Sequence, residues 1–450
     1  MSSSRQRLAI RCAYITFAAD PFTHGPDALR FEADGLIVIR SGKIEYAGPW
    51  DALHPLVAES ELHHYADSVA VPGLIDTHVH FPQTPMIGAY GAQLIEWLNT
   101  YTFVTEQRFA DPVYARSVAD VFLDELVRNG TTTAAVYCTV YPESVQAFFE
   151  AAHSRTMCMV AGKVLMDRNA PAALLDTARK GYDDSLRLIE QWHGTGRLHY
   201  AITPRFAPTS TPEQLEAAGA LWQRHPTAYL QTHISENRDE IAWVSSLFPE
   251  RRDYLDVYDH FGLVGPRSLY GHAIHMQERE WQRLAEADAS VTHCPTSNLF
   301  LGSGLFDFAR TCEPVSGIKG IRTGLATDVG AGTSLSMLRT MGEAYKVGQM
   351  GGYSLSALKA FYLATRGAAK ALYLDDRIGS IEAGFDADLV VLDRHATPLL
   401  EFRDGHCNSI EEVLFMLMTL GDDRVTKATY VGGNLLYTSG RATTASFIRQ

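Results

Sequence analysis

The chain has 450 residues, 46% hydrophobic and 20% charged, which suits an ordinary globular protein with one large domain and a smaller one. Its 52 acidic against 39 basic residues give a formal charge of -13, which argues against a nucleic acid or an anionic membrane surface as main partner. Six scattered cysteines without a C-x-x-C pair read as reduced thiols of a cytoplasmic protein; Arg5, Arg7 and Arg11 interrupt the N-terminal apolar stretch, so no secretory signal is expected, and no run approaches a membrane span.

Residues from about 7 to 70 read as short strands and turns. "GLIVIRSGKIEYAG" alternates apolar and polar residues around Ser41-Gly42, a hairpin signal. The C-terminal stretches "IGSIEAGFDADLVVLD" and "VTKATYVGGNLLY" are similarly β-rich. Residues 1–70 and 379–450 are therefore expected to fold together into one small β-sandwich-like domain.

The middle, 71–378, alternates apolar runs with amphipathic stretches. "SVAVPGLIDTHVH" precedes a helix near 112–129, and "TTTAAVYC" a helix near 142–154. "TMCMVAGKVLM", "LHYAITPRF", "TAYLQTHIS", "SLYGHAIH", "SVTHCPTSN" and "IRTGLATDVG" complete eight strand candidates. Near-continuous apolar strands alternating with helices imply parallel strands covered on both faces. Eight units over about 260 residues match an α/β fold of the (β/α)8 barrel type. A doubly wound open sheet is the alternative, disfavoured because no phosphate-cradling glycine motif follows a strand.

Barrel enzymes carry their catalytic groups at the C-terminal ends of the strands. Here the first strand ends in His78-Val79-His80, the fifth in His233, the sixth in His272 and the eighth in Asp328. Residues i and i+2 of a strand share a face, so the first two imidazoles can converge on one ion. With 17 histidines, chance supplies an H-x-H pair about as often as not, so that motif alone is weak. Taken singly, His272 could be a core histidine and Asp328 a helix cap. Their joint placement at strand ends is what points to a metal site.

Imidazoles with a carboxylate suit one divalent ion, Zn2+ first and Fe2+ second, leaving a position for water whose pKa falls to about 7. Glu236, three residues past His233, is placed to shuttle protons without being a ligand. Binuclear barrels of this kind use a carboxylated lysine at the end of strand four. That strand ends in Thr203-Pro204-Arg205-Phe206, so a mononuclear site is expected, with Lys163 on strand three structural.

"PGLIDTHVH", "THISEN", "YGHAIHM", "THCPTSNLFLGSG" and "GLATDVGAG" resemble the amidohydrolase superfamily in its mononuclear deaminase branch. The segment 80–106, with "GKVLMDRN" and "TPRFAPT", resembles the guanine deaminase family. That resemblance implies hydrolysis of guanine to xanthine and ammonia, by a homodimer. It implies His78, His80, His233 and Asp328 as metal ligands, with His272 either a further ligand or an orienter of water. Asp328 would take the proton from water, and Glu236 would protonate the ring nitrogen beside C2. Arg205, a donor only, suits O6, while Gln83 offers a donor and an acceptor to the N3 and amino edge. Phe206 and Trp97 are candidates to sandwich the flat base. His233, Glu236 and Asp328 would also face the substrate. Another deaminase or dechlorinase of the branch, acting on 8-oxoguanine or a triazine, is the alternative reading.

Overall fold

The computed structural model describes residues 7–90, 94–313 and 320–439; Arg5, and residues 91–93 of the segment 80–106, lie outside them. Both ends of the chain join one seven-stranded sheet. Its strands are β1 (Arg7–Phe17), β2 (Leu29–Arg40), β3 (Lys43–Pro49) and β4 (Ser60–Pro72). Three more come from the far end of the chain: β14 (Leu389–Asp393), β15 (Thr426–Val431) and β16 (Asn434–Thr438). The order is β16-β15-β14-β4-β1-β2-β3. The β2–β3 hairpin turns at Ser41 and Gly42, with φ of 53° and 81°. Two positive φ values suit the tight turns that match strand twist, and glycine takes the second without strain.

This sheet has two apolar faces. Ile10, Cys12, Ala70, Leu389 and Val391 share one buried cluster on its outer side. Their neighbours in sequence Val69, Val71, Val390 and Leu392 turn the other way and join the barrel's core. The period of two along each strand makes that division.

The barrel strands are β5 (Leu74–His80), β6 (Thr131–Tyr137), β7 (Cys158–Gly162), β8 (Val164–Leu165) and β9 (Leu198–Pro204). They continue with β10 (Tyr229–Ile234), β11 (Ser268–His272), β12 (Ser290–His293) and β13 (Arg322–Leu325). All pairings are parallel, in the path β13-β12-β11-β10-β9-β7-β6-β5, with β8 beside β9. The ends of the path meet: Thr77 Oγ1 donates to Leu325 O, Asp328 N to His78 O and His80 N to Val329 O, each at 2.9 Å. The result is an eight-unit α/β barrel. β8 and β7 serve one unit, split at Lys163, whose buried ammonium pairs with Asp176.

The covering helices start where the sequence provides caps. Asp111 caps Pro112–Arg128 and Thr211 caps Pro212–Arg224, each with proline at the first helical position. Between β14 and β15 the chain forms two helices, Pro398–Asp404 and Ile410–Leu420. Leu414, Leu417 and Met418 of the second belong to the barrel's own core cluster.

Candidate metal centre

β5 delivers His78 and His80 to the barrel mouth, and the residues before them hold the last turn in place. Asp76 is fully buried and accepts from the backbone N–H of His78 at 3.2 Å and of Thr327 at 3.0 Å. It thereby fixes the loop that carries Asp328, three residues past the end of β13 and at φ 50°. Both imidazoles face that carboxylate: His78 Nε2 and His80 Nε2 lie 3.4 and 3.3 Å from Asp328 Oδ1. Packing makes room for them. A Cβ on Gly271 would stand 2.6 Å from His78 Cε1, so β11 passes the ring only as glycine.

His233 completes a group of four. Its Nδ1–H donates to Arg205 O at 2.7 Å, which leaves Nε2 as a lone-pair donor 3.2 Å from His80 Nε2. The ligand atoms of His78, His80, His233 and Asp328 all lie within 4.8 Å of one another, and all four residues are buried. Among the described residues His78 Nε2 has no hydrogen-bond partner. A buried nitrogen without a partner, facing a carboxylate and other lone pairs, is what a divalent cation satisfies. The donor set therefore fits the metal that the fold implies.

The electrostatics agree. Burial pushes the His80 imidazole down to about 4 and, with His78 and His80 nearby, holds His233 well below its ordinary value. Both rings are neutral at neutral pH, as ligands must be. Burial acts to raise Asp328, but the imidazoles of His78 and His80 close beside it hold it well below the usual carboxylate range.

His272 stands at one side of this group. Its Nε2 is 3.4 Å from Glu236 Oε2 and 3.8 Å from Asp328 Oδ2, while Asn298 Nδ2 donates to its Nδ1 at 2.9 Å. A ring that accepts at Nδ1 carries its proton on Nε2, aimed at the two carboxylates. Glu236 follows β10 through Ser235, at φ 50°. Ser303 Oγ donates to its Oε1 at 3.0 Å, and the backbone N–H of Glu236 is held by Glu240 at 2.9 Å. Burial, with the charges of Asp328 and Glu240 behind it, raises the Glu236 carboxyl well above the ordinary range. A carboxyl that holds its proton more tightly than usual thus sits beside one that gives it up more readily.

Beside this group opens a cavity lined by His80, Gln83, Trp97, Arg205, Phe206, His233, Glu236, His272 and Asp328. Every residue singled out from sequence is thus brought to this one place, His78 within the metal group behind it. Trp97 and Phe206 are buried in the wall; Phe206 meets His233 and Trp243 edge-on at 6.5 and 6.3 Å. Gln83 is more constrained than its sequence suggests. Gly330 N donates to its Oε1 at 3.0 Å and its Nε2 donates to Glu106 Oε1 at 3.3 Å. Glu106, Asn298, Ser303 and Asp76 were not singled out from sequence, although each lies inside a segment that carried the resemblance.

The amidohydrolase family model matches residues 69–436. Guanine deaminase of Escherichia coli K12 is 50% identical over 440 residues, covering 97% of this chain and 99% of that protein. The E. coli guanine deaminase structure, 48% identical, superposes with a TM-score of 0.92 over 96% of this chain and 99% of that one. A guanine deaminase structure from C. acetobutylicum, with guanine bound in its active site, is 29% identical with a TM-score of 0.84, covering 96% of this chain and all of the other. Sequence, barrel and clustered ligands agree: the chain belongs to the amidohydrolase family.

Proposed function

We infer that this protein hydrolyses guanine to xanthine and ammonia. The observation that carries the reading is the adjacency of a raised Glu236 carboxyl and an ionised Asp328 at a four-ligand metal group, in one cavity with Gln83 and Arg205. The relatives that share half or nearly half of its residues are named for this reaction.

His78, His80, His233 and Asp328 would hold the ion, for which we propose zinc because nitrogen and carboxylate donors with an open position suit it. Bound there, it would supply Lewis-acid activation of water at neutral pH. The protein's residues do the rest. Asp328 accepts a proton from the water as its oxygen attacks C2. Glu236 donates a proton to the ring nitrogen beside C2, relieving the charge that builds there. The Nε2–H of His272 bridges the two carboxylates and orients the water. Asp328 then passes its proton to the amino group, which leaves as ammonia, while Glu236 takes the proton of the C2 hydroxyl as the carbonyl forms. Arg205 presents donors to O6, and Gln83 addresses the N3 and amino edge. Phe206 and Trp97 bound the faces of the ring.

Six free cysteines support a reducing compartment, the cytoplasm, as the place of action. Among the described residues no helix is long and apolar enough to cross a membrane. The homodimer is carried over from the family resemblance, and sedimentation tests it.

Purified, metal-loaded protein is expected to release ammonia from guanine and not from adenine or cytosine. Glu236→Gln is expected to lower turnover by about 10²–10⁴-fold while the metal stays bound. Guanine left intact by the wild-type protein would overturn the reading.

A further inference from the structure

Behind the cavity wall a buried carboxylate that takes no part in the steps above pairs with Arg205. Glu106 ends the short helix Phe103–Glu106, fully buried and not itself part of the cavity lining. Its Oε1 and Oε2 accept from Arg205 Nη1 at 3.0 and 2.8 Å, and Oε1 also accepts from Gln83 Nε2 at 3.3 Å. One carboxylate therefore ties together the two side chains that address the edges of the base. Phe103, on the same helix, lies against the Arg205 guanidinium, with Cζ 5.4 Å from the ring centroid. Gly330 N holds the other end of the Gln83 amide. Arg205 spends Nη1 on Glu106, so Nε and Nη2 are the donors left for a ligand.

We propose that Glu106 is a positioning and specificity-determining residue, which orients Arg205 and Gln83 together and cancels the Arg205 charge so that the cavity takes a neutral purine in preference to an anionic one. This rests on guanine being the substrate. An arginine is cationic at every working pH, and a buried one without a counter-charge attracts anions. Guanine is neutral near pH 7. Xanthine, with a second carbonyl in place of the amino group, gives up a ring proton more readily. Without Glu106 the wall would favour product over substrate. With it, the net charge of the pair is zero, and the product anion meets a carboxylate just behind the guanidinium.

Two variants separate orientation from charge. Glu106→Gln keeps the size, removes the charge and leaves one acceptor oxygen where Arg205 and Gln83 use two. Its kcat/KM on guanine is expected to fall on the order of a hundredfold, the cost of a misplaced contact. Its inhibition by xanthine is expected to tighten on the order of tenfold, and more at alkaline pH, where xanthine ionises. Glu106→Asp keeps the charge and shortens the reach, so kcat/KM falls while xanthine inhibition stays at the wild-type value. A merely structural role would weaken substrate and product alike. Xanthine bound no more tightly by Glu106→Gln than by wild type overturns the charge assignment. Should Glu106→Gln fail to fold, an unchanged kcat/KM or an altered xanthine affinity in Glu106→Asp overturns the proposal. Xanthine affinity is read by direct titration of metal-loaded protein. A wild type that leaves guanine intact therefore defeats the substrate reading in a separate measurement.

Discussion

His293 lies buried on β12, with neither ring nitrogen hydrogen-bonded among the described residues and Phe306 stacked on it at 4.2 Å. Burial, helped by His272, pushes its pKa down to about 3. In the unfolded chain such a ring protonates near pH 6.5. Below that pH the unfolded state holds the extra proton, so stability that is complete above 6.5 is lost as pH falls towards 3. One ring costs up to about 1.4 kcal/mol per pH unit within that window. Asp76, raised by burial to about 6, titrates in the opposite sense, so the overall curve is a mixture. The difference between two proteins is cleaner. In chelator-treated samples, His293→Phe should gain on the parent as pH falls from 6.5, by up to that amount per unit. Denaturant midpoints that stay parallel across the range would contradict it. At this scale the candidate metal group was legible because histidines at strand ends advertise themselves. Glu106 and Ser303 were not, because a lone acidic or hydroxyl residue in sequence says nothing of the partner it is buried against.

The strands illustrate a more readable level. Each barrel strand is covered on both faces, so "TTTAAVY" and "CMVAG" are buried at every position and stand out as apolar runs. The reading missed the helices Pro398–Asp404 and Ile410–Leu420. "VLFMLMTL" is apolar on nearly every side, since the second helix packs against the barrel's own helices Met337–Met350 and Ala357–Leu363, and no helical period survives such burial. Close approach between elements also escapes a linear pattern. Gly271 is one residue of β11, yet its missing side chain is the space occupied by His78. Gly271→Ala is therefore expected to cost about 1–3 kcal/mol through overpacking. It should also reduce bound metal below one ion per chain while the circular dichroism of the barrel persists. Full metal stoichiometry in that variant would show that the ring has room to move.

At the scale of the whole molecule, the expectation that both termini share a β domain came from pattern, and the seven-stranded sheet bears it out. The way sheet and barrel are locked together was not visible. Asp388, just before β14, pairs with Arg197, just before β9. It also accepts from Gly432 N at 2.8 Å, and its carbonyl accepts from Gly73 N at 2.8 Å, between β4 and β5. Both charged groups are largely buried, and burial opposes the Arg197 charge while Asp388 raises its pKa. Removing Asp388 leaves Arg197 with Asp386 alone as its counter-charge, 3.2 Å away. Asp388→Ala should therefore cost about 1–3 kcal/mol, read as a lower denaturant midpoint. A midpoint within error of wild type would mean that water reaches Arg197 freely.

The seam where Asp328 N meets His78 O also orders events in time. About 250 residues separate the two candidate ligands, so at roughly 5–20 residues per second the ribosome needs roughly 12–50 s after making the first to supply the last. The early histidines must emerge and wait for more than half of synthesis before the carboxylate joins them. A chain cut short before β13 keeps the three histidines of the candidate metal group and lacks its carboxylate.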